Sequence, residues 1–251
     1  MVSVIFPAAG QGKRMQAGIN KVLLTLGNEP ILVRTLKTFS AVEEIGELVV
    51  VVAAEEVAAV EEQLQRITGL KPFKVTAGGS ERQYSIYNGL QQVAEAADVV
   101  LVHDAARPLV TEKTIRAVIA AARAQGGAIA AVPAKNTIKV VNGDGLVEST
   151  PPRSTLWEVQ TPQGFRKEIL LKANEQALAE HFLGTDDASL VERIGVKVAV
   201  VRSDYRNIKV TTPEDLLIAE AFLQCTAEDE ARSLQAAARK ARQAWLKEED
   251  R

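Results

Sequence analysis

The chain has 251 residues, with 30 lysines and arginines against 32 aspartates and glutamates, a formal net charge of −2 and 47% hydrophobic residues. This composition is typical of a globular protein, and the length suits either one large α/β domain or two small ones, with enough chain in both cases to bury a large core. It excludes collagen-like, disordered and disulfide-stapled chains. The nearly balanced charge argues against a nucleic-acid-binding surface but is compatible with a small cationic pocket.

Cysteine and histidine are scarce, which limits the possible chemistry. Cys225 is the single cysteine and His103 and His181 are the two histidines, so an internal disulfide and multi-cysteine zinc sites are excluded. The longest apolar run, 48–54, is far shorter than the ~20 residues that cross a bilayer. The first residues lack the features of signal and transit peptides. We therefore expect a cytoplasmic protein that does not bind membranes.

Short segments rich in valine and isoleucine predict the strands of a central sheet. These segments are 3–6, 48–53, 73–76, 99–102, 128–132 and 196–201. They are mostly apolar throughout, as strands buried on both faces are. Apolar residues at helical spacing, such as Ile31, Leu32, Leu36 and Phe39, lie between several of them. The alternation predicts an α/β fold with a mainly parallel sheet and helices on both faces.

Residues 135–155 interrupt this alternation. Two β-rich runs, 137–141 and 146–148, flank an Asn-Gly-Asp-Gly sequence, and an Asn-Gly turn between such runs predicts a β-hairpin. An isolated hairpin is marginally stable in water, so this arm either packs on something, such as a second subunit, or is a plain surface excursion. We assign one domain to 1–224, and the composition of 225–251 predicts a C-terminal helical extension.

Small residues and cations follow the first strand. Ala8-Ala9-Gly10-Gln11-Gly12-Lys13-Arg14-Met15 comes directly after it, and Lys21 is close behind. Small residues at a strand end allow backbone N–H groups to approach an anion, and the cations add positive charge. The stretch lacks the third glycine of a Rossmann fingerprint and the Gly-Lys-Ser/Thr of a Walker loop. The alternative interpretation is an ordinary strand-to-helix turn.

A carboxylate follows another buried strand, in the sequence His103-Asp104-Ala105-Ala106-Arg107-Pro108. Ligands gather beyond the carboxyl ends of parallel strands, so we expect Asp104 near the first loop. Asp104 is a candidate ligand for Mg²⁺, which prefers one or two carboxylates together with substrate phosphate. A structural ion pair between Asp104 and Arg107 is the alternative. The strand pleat turns His103 away from Asp104, which predicts a packed histidine.

Two further segments add to the same candidate site. Asn207-Ile208-Lys209-Val210-Thr211 predicts a short strand carrying a lysine, just before a helix capped by Thr212. Gly78-Gly79-Ser80-Glu81-Arg82, with Ser85 nearby, offers a flat backbone surface to a base or forms a simple helix N-terminal turn. The whole set is rich in cations and lacks a histidine or cysteine nucleophile. It favours phosphoryl or nucleotidyl transfer, which depends on positioning and charge neutralisation.

Together with Thr161-Pro162-Gln163, these segments resemble the motifs of sugar-nucleotide-type nucleotidyltransferases. The resemblance is strongest to the 2-C-methyl-D-erythritol 4-phosphate cytidylyltransferase family and covers about residues 2–223. It implies a Rossmann-like nucleotidyltransferase fold with a protruding hairpin arm. It also implies transfer of CMP from CTP to a polyol phosphate with release of pyrophosphate, Mg²⁺ as cofactor, and a homodimer formed through the arm.

The resemblance also implies residue roles. Arg14 and Lys21 would neutralise the triphosphate and the charge that develops at the α-phosphorus, Asp104 would bind Mg²⁺, and Lys209 would bridge the phosphates of the two substrates. The positions implied for CTP are Ala8, Ala9, Gly10, Gly12, Lys13, Gly78, Gly79 and Ser85. The positions implied for the polyol phosphate are Arg107 and Thr161, with Thr137 and Arg153 reaching in from the arm of the other subunit.

The chain departs from the family pattern at two positions, and alternative functions stay open. Asn20 takes the place of a proline before Lys21, and Asp187 takes the place of a longer glutamate. Cytidylyltransferases that act on ribitol 5-phosphate resemble this chain in nearly all the same phosphate-handling motifs, although Ala106 favours methylerythritol. A nucleotide-binding regulatory protein without turnover is the alternative from a different class.

Overall fold

The computed structural model describes residues 1–10, 21–225 and 235, without the side chain of Lys21. Its strands are β1 Val2–Pro7, β2 Thr25–Leu26, β3 Glu29–Pro30, β4 Ile45–Val52, β5 Phe73–Ala77, β6 Val99–Val102, β7 Gly127–Pro133, β8 Val140–Val141, β9 Val147–Ser149, β10 Trp157–Arg166 and β11 Ala199–Arg202. Its α-helices are α1 Ile31–Ser40, α2 Val57–Gln65, α3 Arg82–Leu90, α4 Glu112–Gln125, α5 Lys167–Ala179, α6 Asp187–Arg193 and α7 Pro213–Gln224.

The central sheet has seven strands in the order β11-β7-β10-β6-β1-β4-β5. β1 is parallel to β4 and β6, β4 is parallel to β5, and β11 is parallel to β7. Only β10 runs antiparallel to its two neighbours, β6 and β7, in this sheet. The prediction of a mainly parallel sheet is confirmed, and each of the six predicted strands overlaps a strand of the sheet.

The sequence analysis did not predict β10, although it lies in the middle of the sheet. Its buried stretch contains Gln160, Thr161 and Gln163, which break the apolar pattern of a central strand. It also contains Pro162, which has no N–H to donate and is tolerated in sheets at bulges. The pairing with β7 shifts its register between Val159 and Gln163, which accommodates the proline.

Helices cover both faces of the sheet, as predicted. Along β1, Val4 and Phe6 face a core formed with α1, α2 and α4, whereas Ile5 faces a core formed with α3, α5 and α6. This is the two-residue alternation of a strand buried on both faces. Among the described residues, the helices lack the length and apolarity that a transmembrane segment needs.

The predicted hairpin is present. β8 and β9 pair antiparallel across the turn 142–146, in which the N–H groups of Asp144 and Leu146 donate to the Asn142 side chain. The arm starts after β7, at the same edge of the sheet as the ends of β1 and β6. The predicted helical extension at 225–251 falls outside the described residues, apart from Cys225 and residue 235.

Residues 207–211 correct one prediction, because they form an irregular segment and not a strand. Their N–H and C=O groups bond to neighbouring loops: the Val210 N–H, for example, donates to the Ala106 carbonyl at 2.8 Å. The predicted helix start that follows is confirmed, since the Thr212 hydroxyl accepts from the Asp215 N–H at the first turn of α7.

Candidate active site

A cleft lies beyond the carboxyl ends of β1, β5 and β6, where four of the predicted segments meet. Its volume is about 250 Å³. The residues that line it are Pro7, Ala8, Ala9, Gly10, Val22, Gly79, Ser80, Glu81, Arg82, Ser85, Asp104, Ala105, Ala106 and Lys209. The position agrees with the rule that open α/β sheets bind ligands outside the carboxyl ends of their strands.

Asp104 forms ion pairs with several cationic side chains at this cleft. Its Oδ2 lies 3.1 Å from Lys209 Nζ and 3.2 Å from Arg107 Nε. Burial alone would raise the pKa of the Asp104 carboxyl, but Lys209 and Arg107, with Arg82 beyond them, hold that pKa well below its ordinary value. The ion pair with Arg107, which the sequence analysis gave as the alternative to a metal-ligand role for Asp104, is present, and Lys209 joins the same cluster as expected.

Arg82 is a cleft residue to which the sequence analysis gave no role. Its Nη2 donates to Asp187 Oδ2 at 2.8 Å, and its Nε lies 4.0 Å from Asp104 Oδ1. Asp187 is fully buried, and this burial raises the pKa of its carboxyl despite the guanidinium beside it. The sequence analysis did not connect Arg82 with Asp187, because the two residues are 105 positions apart in the chain. Arg82 therefore links the loop after β5 to the start of α6.

The loop that carries Lys209 is fixed by buried hydrogen bonds. Asn207 Nδ2 donates to Gln160 Oε1 at 3.0 Å and to the Thr161 carbonyl at 2.9 Å. Arg107 Nη1 donates to the Asn207 carbonyl at 2.8 Å, which ties this loop to the one that follows β6. Hydrogen bonds thus hold the backbone segments that carry Asp104 and Lys209, in addition to the ion pair between the two side chains.

The glycine-rich loop after β5 is shaped by close packing and by Ser85. The Ser85 hydroxyl accepts from the Gly79 N–H at 3.1 Å and donates to the Glu81 carbonyl at 3.0 Å. A Cβ added at Gly78 would lie 2.7 Å from Ser85 Oγ and 3.1 Å from Ala9 Cβ. The lack of a side chain at Gly78 therefore lets this loop pack against the segment after β1.

Gly78→Ala is expected to destabilise the protein, because the added methyl displaces Ser85 and the loop that it holds. Overpacking of this kind costs about 1–3 kcal/mol. Chemical denaturation measures the stability. Gly143→Ala is the matched control, since a Cβ there meets nothing within 4 Å. Equal stability of Gly78→Ala and wild type would contradict the packing argument.

Several other predicted site residues lie outside the described lining of the cleft. Thr161 lies buried beneath Asp104, whereas Thr137 and Arg153 are exposed on and beside the arm. Arg153 Nη1 donates to the Lys135 carbonyl at 3.0 Å, at the base of the arm. Within the described part of the chain, the cleft lining does not include Thr137, Arg153, Thr161, Arg107 or Gly78. Gly12, Lys13, Arg14 and the side chain of Lys21 fall outside the described residues.

His103 is packed away from the cleft, as the strand pleat predicts. It is completely buried, with its ring 4.6 Å from that of Phe39. Burial lowers the pKa of His103 to about 3, so the imidazole is neutral at pH 7. It is therefore not a general acid or base for chemistry in the cleft.

Arg82 and Lys209 line a cleft beside a glycine-rich loop at the carboxyl edge of an α/β sheet, an arrangement typical of proteins that bind phosphorylated ligands. The chain matches the family model of 2-C-methyl-D-erythritol 4-phosphate cytidylyltransferase (IspD) over residues 2–225, and it belongs to that family.

Individual relatives agree with this assignment. The enzyme of that name from Caldanaerobacter subterraneus is 48% identical over 89% of this chain and 99% of its own length. The one from Geobacillus kaustophilus is 52% identical over 86% of this chain and 94% of its own length. The crystal structure of 4-diphosphocytidyl-2C-methyl-D-erythritol synthase from Anaerococcus prevotii is similar, with a TM-score of 0.80 and 33% identity over 90% of this chain and 99% of that one.

Proposed function

We propose that the protein transfers CMP from CTP to 2-C-methyl-D-erythritol 4-phosphate, which yields 4-diphosphocytidyl-2-C-methyl-D-erythritol and pyrophosphate in non-mevalonate isoprenoid biosynthesis. The observation that supports this function best is the cluster of Asp104, Lys209, Arg107 and Arg82 at the cleft. Family membership supports both the chemistry and the acceptor. The cytoplasmic location stays a prediction from the sequence.

The proposed reaction is attack by a phosphate oxygen of the polyol phosphate on the α-phosphorus of CTP, with pyrophosphate as leaving group. That oxygen is already anionic at neutral pH, so no general base is required. The catalytic demand is to bring two polyanions together and to neutralise the charge that develops. Lys209 meets this demand, because its ammonium group lies at the cleft and its side chain is 38% exposed. Arg14 and Lys21 are proposed to act on the triphosphate.

Magnesium is part of the proposal, with Asp104 as the residue that would hold it. The Oδ2 atom of Asp104 contacts Lys209 and Arg107. The ion pair at Oδ1 is longer, with Arg82 Nε at 4.0 Å. The described residues contain no group of three potential metal ligands. This donor set fits Mg²⁺, which accepts a single carboxylate when substrate phosphates and water complete its coordination. When bound, the ion would neutralise phosphate charge.

The acceptor is tested by measuring pyrophosphate release with CTP and either methylerythritol phosphate or ribitol 5-phosphate. The proposal expects release with methylerythritol phosphate and a much lower kcat/KM with ribitol 5-phosphate. Efficient turnover of ribitol 5-phosphate alone would support the alternative acceptor. If CTP binds but no acceptor gives pyrophosphate, the chain is a nucleotide-binding protein without turnover. Leaving out Mg²⁺ in the same assay tests the cofactor.

We also propose that the protein forms a homodimer through the arm. The apolar side chains exposed there are Ile138, Val140, Val141, Leu146 and Val147. A two-stranded hairpin that exposes such side chains is stabilised by a partner surface, and a second copy of the chain fits the family resemblance. Thr137 and Arg153 would then contribute to the neighbouring cleft.

Mixing two inactive variants tests this shared site. Arg153→Ala lacks the contribution of the arm and Lys209→Ala lacks a cleft cation, so one cleft of each heterodimer has both residues intact. An equal mixture that exchanges subunits freely is expected to regain about a quarter of the wild-type activity, because half of the dimers are mixed and half of their clefts are complete. Pyrophosphate release before and after exchange measures this. Confirmed heterodimers without recovered activity would exclude a shared site.

A further inference from the structure

Beneath Asp104, a short chain of buried hydrogen bonds connects β10 to the turn that follows β6. The Asp104 N–H donates to Thr161 Oγ1 at 3.0 Å, and Thr161 Oγ1 lies 3.1 Å from His103 Nδ1. At the other end of the ring, His103 Nε2 lies 3.1 Å from the Arg107 carbonyl. We infer that Thr161 and His103 are positioning residues, which act on the proposed reaction by fixing the backbone that aims Asp104 at Lys209.

The direction of each hydrogen bond follows from the groups involved. The Arg107 carbonyl can only accept, so His103 Nε2 carries the proton. His103 is fully buried next to Phe6 and Phe39, an environment that favours the neutral ring, and Nδ1 of a neutral ring protonated at Nε2 is an acceptor. The Thr161 hydroxyl therefore donates to Nδ1, and its oxygen accepts from the Asp104 N–H.

These bonds fix the turn 104–107 at both ends. The N–H of Asp104 and the carbonyl of Arg107 are each held by a buried partner, and the Arg107 N–H donates to the Asp104 carbonyl at 2.9 Å within the turn. The Thr161 carbonyl accepts from Asn207, which lies in the loop of Lys209. Thr161 thus connects the backbones that carry Asp104 and Lys209.

This role differs from the one that the family resemblance implied for Thr161. A phosphate dianion only accepts hydrogen bonds, so a direct contact with the phosphate group would need the hydroxyl hydrogen of Thr161, which is already donated to His103. The Thr161 side chain is also buried and is absent from the described lining of the cleft. The geometry therefore favours an indirect action through Asp104.

The test compares variants that keep or remove single hydrogen-bonding atoms. Thr161→Val removes the hydroxyl with little change in shape, and Thr161→Ser keeps it. His103→Gln keeps a donor for the Arg107 carbonyl and removes the acceptor at Nδ1. We expect Thr161→Val and His103→Gln each to lower kcat about 10-fold or more while KM for either substrate changes less than about 3-fold. Thr161→Ser should retain kcat, and the double variant should be no worse than the poorer single variant.

Three results would overturn the inference. A Thr161→Val enzyme with normal kcat and a raised KM for the polyol phosphate would indicate direct substrate contact. Independent, additive effects of the two substitutions would exclude a connected chain. Nitrogen-15 NMR of the wild-type imidazole at pH 7 provides a readout that does not depend on variant folding or turnover, and a His103 proton at Nδ1 would contradict the assigned directions. The kinetic part of this inference rests on the proposed function, so a wild-type protein inactive on every acceptor would refute that function and leave the hydrogen-bonded chain to be judged by the NMR result alone.

Discussion

Lys209→Ala is expected to lower kcat of CMP transfer by about 10²–10³-fold, the loss that follows removal of a group which stabilises developing charge. Lys209 Nζ is 3.1 Å from Asp104 Oδ2, and the Asn207 and Val210 backbone bonds hold its loop in place. The loss should appear in kcat more than in KM, because the ammonium group is proposed to act on charge in the transition state.

Steady-state kinetics with both substrates varied measures this effect. Lys209→Arg, which keeps the charge but changes its shape, should recover only part of the activity. Lys113→Ala, in which an exposed lysine of α4 is removed, is the matched control and should behave like wild type. Turnover of Lys209→Ala within a few fold of wild type would remove Lys209 from the proposed mechanism.

Asp104→Asn is expected to reduce both turnover and stability. The carboxyl is buried between the cations of Lys209 and Arg107, and an amide leaves those charges without their partner. Breaking a buried ion pair by removing one partner costs about 3 kcal/mol. The same change replaces the anionic carboxylate of the proposed Mg²⁺ ligand with a neutral amide, so kcat should fall at least about 100-fold.

The stability effect of Asp104→Asn depends on pH in a defined direction. The folded-state pKa of Asp104 is lowered, so its stabilising contribution is complete above the unfolded-state pKa of about 3.9 and is lost as the pH falls towards the lower folded-state pKa. The free energies of unfolding of wild type and variant should therefore differ most above about pH 5 and converge below about pH 4. Urea denaturation across this range measures the difference, and Glu175→Gln, at an exposed position of α5, is the control. A constant difference at all pH values would indicate that packing, not charge, is responsible.

The sequence predicted the parts of the fold that follow from local pattern. Mostly apolar runs predicted β1 and β6, and the parallel arrangement then predicted that Asp104 lies at the edge of the sheet where β1 ends. Since these inferences use only hydrophobicity and strand direction, they required no knowledge of distant contacts.

The features that the sequence did not predict depend on contacts between distant residues. β10 contains polar side chains and Pro162, which are compatible with a central strand only because β7 accommodates a bulge there. Arg82 acquires its place in the cleft from Asp187, and Lys209 lies in an irregular segment, not in a strand, because its backbone bonds to the loop after β6. Local periodicity contains no information about such partners.

The position of β10 also has a consequence for synthesis of the chain. In the finished sheet, β10 is the strand that joins β5, β4, β1 and β6 to β7 and β11. When the ribosome has produced residues 1–156, the apolar edge of β6 still lacks its neighbour, and unpaired edges of this kind promote aggregation. Thr161 arrives with the same strand, so Asp104 gains its supporting hydroxyl only when the two parts of the sheet become joined. A nascent chain that stalls before this strand emerges should therefore have most of its hydrophobic core but no assembled catalytic centre.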